Sequence, residues 1–591
     1  MSTLRSRSRS AANVLIGALA VAVCLSFGIG TASVAAPRWA GLGILAVVAL
    51  GGIAVYLWRA RPIRFGPTDA AVAGFLAYAA LSGAWAEDSA AAADYFLRFA
   101  TLGLVYVFVR MTPGAWPALT AAIGISFVGA VALGFAVPSL YGGFGNENFA
   151  AEFILASSPF VFRLWNDIDQ RTRGGWASSA FLFLAVPASI VYLVGFNASN
   201  LEYLVAFAAL LFVVVIGWRR LRPPLAIALF AVGLLMLVIN PAMWREREGL
   251  PDSVVERAEI WINTAAMWWE EPAFGHGLGS YNREYPRFAE EHMAVLGPGT
   301  FMESPIGIVG AAHNDWAQLA AELGVIGLGL AGLVLLFAWR DVADRWRALM
   351  APIASIAILI VLSLVGFPFQ NPATAFVGAV ALGMLPAPRS RAIVVPLWCR
   401  RLGGAVAVLV AMGLATMTTL WFIGDRHAVN VRAWMKHDPA AALSENFLAW
   451  HTYPLATWTR HQMIVSLKTV IANQHRPGYV PASVFIEFEP EAIERVWQVA
   501  TSASPHHAGV LLARAELLLN SGREDEMAPV LDRLEEIAPG RPETWLTAAY
   551  YHATQADVPA VENAIGRVAA LDGGIELLDA LGLIHKEGTE P

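Results

Sequence analysis

The sequence predicts an all-α, polytopic membrane bundle of about thirteen transmembrane helices, followed by a C-terminal helical-repeat domain. Three observations predict it. Of 591 residues, 57% are apolar and only 15% charged, with a mean hydropathy of +0.55; soluble proteins carry about 25% charged residues. The apolar residues gather into runs close to the roughly 20 residues a bilayer crossing needs. Between those runs, clusters of arginine recur at every second loop.

The runs lie near 13–35, 39–58, 68–85, 91–110, 115–137, 148–164, 177–196, 201–217, 223–240, 311–338, 349–366, 372–387 and 402–423. The first follows a basic start, "MSTLRSRSRS", like that of a signal peptide, but it is long enough to span and is read as a retained helix. Arg5, Arg7 and Arg9 precede it. Arg59, Arg61 and Arg64 follow the second run, Arg219, Arg220 and Arg222 the eighth, and Arg389, Arg391, Arg400 and Arg401 the twelfth. Because cytoplasmic loops carry the excess of Lys and Arg, the N-terminus is expected inside. "SLYGGFGNENFA" (139–150), the long loop 241–310 and the tail are then expected in the periplasm. The outer side is the periplasm or the cell exterior, and the expected location is a bacterial inner membrane. The expected division is a transmembrane domain over 1–424 and a periplasmic tail over 425–591.

Within the long loop, "DSVVERAEIWINTAAMWWEEPAFG" opens with Ser253 three residues before Glu256, a capping box. Val254, Ala258, Trp261, Ala265 and Trp268 draw one apolar stripe at helical spacing. Pro272 and the glycines 275, 277 and 279 end the helix. Trp268 and Trp269 suit a membrane interface, so this helix is expected to lie along the outer leaflet or over a cavity.

The tail repeats itself. Leu531, Arg533, Leu534, Ile537 and Gly540 match Ile565, Arg567, Val568, Leu571 and Gly574 at an offset of 34, the tetratricopeptide period. Such a stack binds another protein or polymer, or shields the membrane domain.

Few residues on the expected outer face can move a proton or hold an anion. His313, in "AAHNDWAQLAAELGVIG", heads them, since imidazole titrates near neutrality. Asn314 and Asp315 adjoin it at the mouth of an apolar helix, and Glu322 lies two turns deeper. The plain alternatives are a histidine that caps the helix or hydrogen-bonds inside the bundle, and a Glu322 paired with another span. Asn146 and Asn148 sit in a Gly-rich bend, where turn chemistry also accounts for them. In the long loop Arg257, Arg283 and Arg287 are the cations of interest. No zinc ligand set, phosphate-binding glycine loop or serine-nucleophile elbow is present, so no metal or cofactor is expected. A net charge of −6 gives no ground for a nucleic-acid partner, and Cys24 and Cys399 stand too far apart in type of surroundings to suggest a disulfide framework.

Three blocks, "GFGNENFAAEFILASSP", "RAEIWINTAAMWWEEPAFGHGLGSYNREYP" and "HNDWAQLAAELGVIG", resemble in order and spacing the hallmark blocks of the O-antigen ligase and polymerase family. The resemblance covers about residues 70–390. It implies an all-helical membrane glycosyltransferase that takes a glycan from undecaprenyl diphosphate without a metal. A ligase joins it to lipid A–core, a polymerase to another lipid-linked repeat. The family's essential histidine falls on His313 and its arginine on Arg257. The sequence departs from the family where an arginine is usual and Asn200 stands, which leaves a second diphosphate ligand to Arg283 or Arg287. The competing readings are a transporter of lipid-linked glycan, for which Asp94, Arg98 and Glu202 would be the intramembrane charges, and a non-catalytic assembly scaffold with the repeats as its working part.

Overall fold

The computed structural model describes residues 2–25, 36–59, 63–137, 146–167, 252–296, 311–342, 349–385, 390–393, 395–435, 437–455, 505–520, 522–571 and 573–581, with isolated residues between them. It is an all-α membrane protein; its β structure, among the described residues, is one pair of three-residue strands. Ten of the thirteen expected spans fall on described helices. These are α1 (Ser2–Leu25), α2 (Ala36–Trp58), α3 (Pro67–Ser82), α4 (Ser89–Met111), α5 (Trp116–Ala136), α6 (Glu147–Asp167), α9 (Asp315–Val342), α10 (Met350–Leu362), α11 (Pro372–Gly383) and α12 (Leu397–Trp434). The runs at 177–196, 201–217 and 223–240, and with them Asn200 and Glu202, lie outside the described stretches.

Five described helices are long and apolar enough to cross a membrane by length and composition: α2, α4, α5, α9 and α12. Helices α10 and α11, with 13 and 12 residues, reach only about 20 Å at 1.5 Å per residue and cannot cross alone. They pack instead inside the bundle, where Phe376, Val377 and Val380 are fully buried among Ile123, Phe127 and Phe160 of α5 and α6. The 38 residues of α12 make a rod of about 57 Å. It continues past the expected boundary at 424 and is met by α13 (Pro439–Thr452), whose Asp438 caps its first turn.

One end of the bundle is clamped by polar contacts. Strands β1 (Ile63–Phe65) and β2 (Arg391–Ile393) pair antiparallel, Ile63 opposite Ile393. This brings the second and twelfth arginine clusters to the same end, as their common assignment to one side of the membrane requires. Just inside, Asp69 accepts from Tyr106 at 2.6 Å and Arg110 at 3.0 Å, and Thr68 donates to Asp341 of α9 at 2.8 Å.

The opposite end is organised by a break in α9. Gly324 has φ +62° and ψ −168°, so α9 is two helices, 315–323 and 325–342, meeting at a kink. The longer piece, about 27 Å, is itself enough to cross the hydrocarbon layer. The backbone groups freed by the break are taken up by the loop 272–277. Val325 N–H donates to Pro272 and Ile326 N–H to Ala273; in return His276 and Gly277 donate to the carbonyls of Ala321 and Glu322. Glycine is required on both sides of this contact. A Cβ on Gly324 would sit 2.2 Å from the Ala273 oxygen, and one on Gly275, where φ is +70°, 2.4 Å from the Glu322 carbonyl carbon.

That loop follows α7 (Asp252–Glu270) and leads into α8 (Tyr281–Leu296). The buried face of α7 is Ile260, Asn263, Thr264 and Met267. This corrects the apolar stripe read from the sequence, since Ala258 and Ala265 are exposed. The helix is turned because its two polar residues find partners: Asn263 donates to Tyr285 at 3.2 Å, and Thr264 bonds Tyr281 at 2.8 Å. Trp269, 77% exposed, stands on the outward side.

In the tail, α14 (Ala508–Asn520) with α15 (Ala528–Ile537) and α16 (Pro542–Thr554) with α17 (Val558–Ala570) form two helix pairs, and α18 (Gly574–Ala580) follows. The pairs start 34 residues apart, at Ala508 and Pro542. The tail is seated on α8 by a buried ion pair: Arg541 Nε donates to both oxygens of Glu290, at 2.9 and 2.8 Å.

Two outcomes follow from these contacts. Gly324→Ala should cost folded protein, because the added methyl collides with backbone rather than with a movable side chain; a melting temperature equal to wild type in detergent would contradict the interlock. Arg541→Ala leaves a buried carboxylate unpaired, a loss of about 3–5 kcal/mol in such pairs. It should therefore speed release of the tail by limited proteolysis, whereas Glu290→Met with Arg541→Met should keep the tail seated.

Candidate active site

The site forms where α7, the mouth of α9 and the turn 363–371 meet. Asn314 caps α9: its Oδ1 accepts from the N–H groups of Trp316 and Ala317, both at 3.0 Å. Asp315 donates its N–H to Ser363 at 2.9 Å, and its Oδ2 accepts from Phe369 N–H at 3.0 Å. The helix mouth is thus tied to the turn that precedes α11. Asn371 in turn caps α11 and donates to the Phe149 carbonyl of α6 at 3.2 Å.

His313 precedes the cap in a left-handed conformation, φ +51°. For a non-glycine residue this costs about 1–2 kcal/mol, so the neighbours must enforce it. Ala312, next to it, is held on both sides: its carbonyl accepts from Trp261 Nε1 at 3.0 Å, and its N–H donates to Gln318 Oε1 at 3.2 Å. The imidazole then lies edge-on to Phe367, ring centres 4.9 Å apart. Arg257, one helical turn before Trp261 on α7, donates Nη1 to the Val365 carbonyl at 3.3 Å. Arg257 and His313 therefore converge on one short turn, at Val365 and Phe367. Burial, and then the charge of Arg257, push the His313 imidazole down from 6.5 to about 4. It is neutral at any ordinary working pH and can accept a proton.

The other expected site residues are placed differently. Asn146 caps α6, accepting from Asn148 N–H at 2.9 Å and Phe149 N–H at 3.2 Å. Asn148, on the same first turn, keeps a buried Oδ1 that no described group hydrogen-bonds. Phe149 beside it packs edge-on to Phe367 at 5.2 Å, so α6 borders the turn that carries the site. Arg283 and Arg287 are on α8 and hold carboxylates: Arg283 donates Nε and Nη2 to Glu87 at 3.0 and 2.8 Å, and Arg287 Nη2 donates to Glu270 at 2.5 Å. A diphosphate would have to displace these partners. Glu87, Glu284 and His506 bring ligand atoms within 4.8 Å of one another. Arg283 already pairs with both glutamates, and His506 Nδ1 accepts from Arg533 at 2.9 Å. The Nδ1 lone pair of this ring is thus taken up by a guanidinium.

A cavity of about 280 Å3 opens beneath the mouth of α9. Asp315, Gln318, Glu322 and Gln370 line its upper wall; Arg98 and a series of aliphatic and aromatic residues line the rest. His313 and Arg257 are outside this cavity. The intramembrane pair Asp94 and Arg98 is internally matched at 2.5 Å, and Asp94 also accepts from Tyr453 at 2.9 Å.

Sequence reasoning overlooked Gln318, Gln370 and Phe367. Gln318 could have been found by helical spacing alone, since it lies between Asp315 and Glu322 on the same face. Phe367 and Gln370 belong to a turn whose part in the site only tertiary packing reveals.

Residues 168–332 match the family model described as O-antigen ligase. No curated protein and no solved structure gives a significant match to the chain. The matched stretch contains Arg257, the loop 272–279, His313 and the break at Gly324. Over residues 168–332 the chain is thus similar to an O-antigen ligase domain, within an all-α membrane protein.

Proposed function

We propose that the protein transfers a glycan from undecaprenyl diphosphate to an acceptor hydroxyl, on a polysaccharide or on lipid A–core, at the outer face of the bacterial inner membrane. The observation that carries this reading is the convergence of Arg257 and His313 on the turn at Val365 and Phe367. The acceptor oxygen forms a bond to the anomeric carbon while the bond from that carbon to the diphosphate breaks. The electron pair leaves with the diphosphate, whose growing charge Arg257 holds. The acceptor proton passes to His313. A guanidinium suits this part because its planar donors bind two oxygens at once and it stays charged at any working pH. A fixed cation at the leaving group also helps the transition state more than the ground state.

The depressed basicity of His313 fits the same cycle. Arg257 is one of its two causes. A diphosphate bound to Arg257 offsets that charge, so donor binding raises the affinity of the imidazole for a proton when the acceptor needs to lose one. In this reading the helix pairs of the tail, facing the periplasm, engage a protein or polymer partner of the assembly machinery.

A reconstituted assay with purified lipid-linked glycan tests the pair. Proton transfer by a placed side chain is worth about 10²–10⁴-fold, so His313→Ala should lose at least two orders of magnitude in kcat with expression intact. Arg257→Lys should also be impaired, since it keeps the charge but loses the fork. Wild-type rates in both His313→Ala and Arg257→Ala would end the reading.

The pH dependence follows from the same shift. The neutral, proton-accepting form of His313 is fully present above about pH 4 and is lost as pH falls through that value. Arg257→Met removes one cause of the depression, so its imidazole should titrate higher than wild type by NMR. Donor lipid should raise the wild-type value and leave that of Arg257→Met unmoved.

A further inference from the structure

The turn that carries His313 depends on a chain of polar groups running down α9. Gln318 Oε1 accepts twice, from Ala312 N–H at 3.2 Å and from Gln370 Nε2 at 2.9 Å. Gln318 Nε2 donates to Glu322 Oε1 at 3.0 Å. Glu322 Oε2 accepts from Gly279 N–H at 2.9 Å. Gln318 and Glu322 are buried.

This pattern has one orientation. Ala312 N–H can only donate, so the oxygen of Gln318 must face it. The amide nitrogen of Gln318 must then face Glu322, where only an acceptor is acceptable. Glu322 in turn is oriented by Gly279, on the loop that closes the break in α9. Reversing either amide would set like groups against each other, donor to donor or acceptor to acceptor, at about 1–3 kcal/mol for each buried group left unsatisfied.

We propose that Gln318 is a positioning residue for His313: oriented by Glu322, its amide fixes the Ala312 peptide and so enforces the left-handed turn that aims the imidazole. This rests on the assignment of His313 above. Gln318 touches neither the ring nor Arg257 in any described contact. It acts through the backbone one residue before the histidine, while Trp261 holds the other side of the same peptide from α7. The turn is thus strapped between α9 and the helix that bears Arg257, and the spacing of the two catalytic groups depends on both straps.

An exchange of the two side chains tests the proposal in the full-length protein. Gln318→Glu alone places two carboxylates against each other, and Glu322→Gln alone turns its amide nitrogen against a donor, either the amide of Gln318 or the N–H of Gly279. Each should lower kcat by about 10²-fold, the cost of displacing a reacting group by about 1 Å, with the KM for donor and acceptor unchanged. The double variant Gln318→Glu/Glu322→Gln satisfies every bond again: the new carboxylate accepts from Ala312, Gln370 and the new amide, and that amide accepts from Gly279. It should recover kcat to within a few-fold of wild type. An exchange pair that fails to fold, or folds without recovering kcat, overturns the proposal. So does Gln318→Leu with wild-type kcat. His313→Ala is measured in parallel. If it retains activity the assignment of His313 fails, whereas loss of activity in His313→Ala together with full activity in Gln318→Leu defeats only the positioning role.

Discussion

The backbone pairing between loop 272–277 and the break in α9 is the constraint on which the rest of this end of the molecule depends. A helix interrupted at membrane depth exposes N–H and C=O groups that lipid cannot satisfy. Here Pro272, Ala273, His276 and Gly277 satisfy four of them with main chain alone. Because the contact is backbone to backbone, it is insensitive to side chains except at Gly275 and Gly324, where none is tolerated. The break lets one stretch of sequence do two jobs. Residues 325–342 make an apolar helix of spanning length, and residues 315–323 turn a polar face inward that a continuous lipid-exposed helix could not carry. The same pairing fixes where α7 ends, and hence the level at which Arg257 stands relative to His313.

Charge is treated differently at the two ends of the bundle. At the β1–β2 end, Asp69 is surrounded by Tyr106 and Arg110, and Asp341 is met by Thr68. Those charges are spent on holding helices together. Nearer the His313 end, Asp94 is paired with Arg98 and Tyr453. At the His313 end the buried carboxylates of Asp315 and Glu322 are met by amides and backbone N–H groups instead of cations. The guanidinium there, Arg257, is turned to a carbonyl in the site rather than to either acid.

Much of this was legible in the sequence, and what was not has physical reasons. The Arg clusters foretold which loops share an end, and β1 and β2 join two of them. The block "PAFGHGLGS" was readable as a helix stop. Its pairing with residues some 50 positions further on was not, because no periodicity marks a contact between main chains. The apolar stripe on α7 was misjudged since Asn263 and Thr264 count as polar until Tyr285 and Tyr281 are known to meet them. The engagement of Arg283 by Glu87, 196 residues away, is likewise a property of the fold. Asn146 and Asn314 were recognisable as caps because capping is local. Gln318 was legible by its helical spacing between Asp315 and Glu322, but its three partners belong to the fold.

The interlock at Gly324 also gives the chain an order of assembly. Loop 272–277 is synthesised before the segment it must pair with, so it waits unpaired while residues 311–342 enter the bilayer. Until it returns, the four groups at the break face lipid or each other. The neighbouring half-helix can meanwhile run on as one straight span, with His313 carried away from its turn. The arrangement around His313 can therefore be completed only when this loop folds back onto the break in α9.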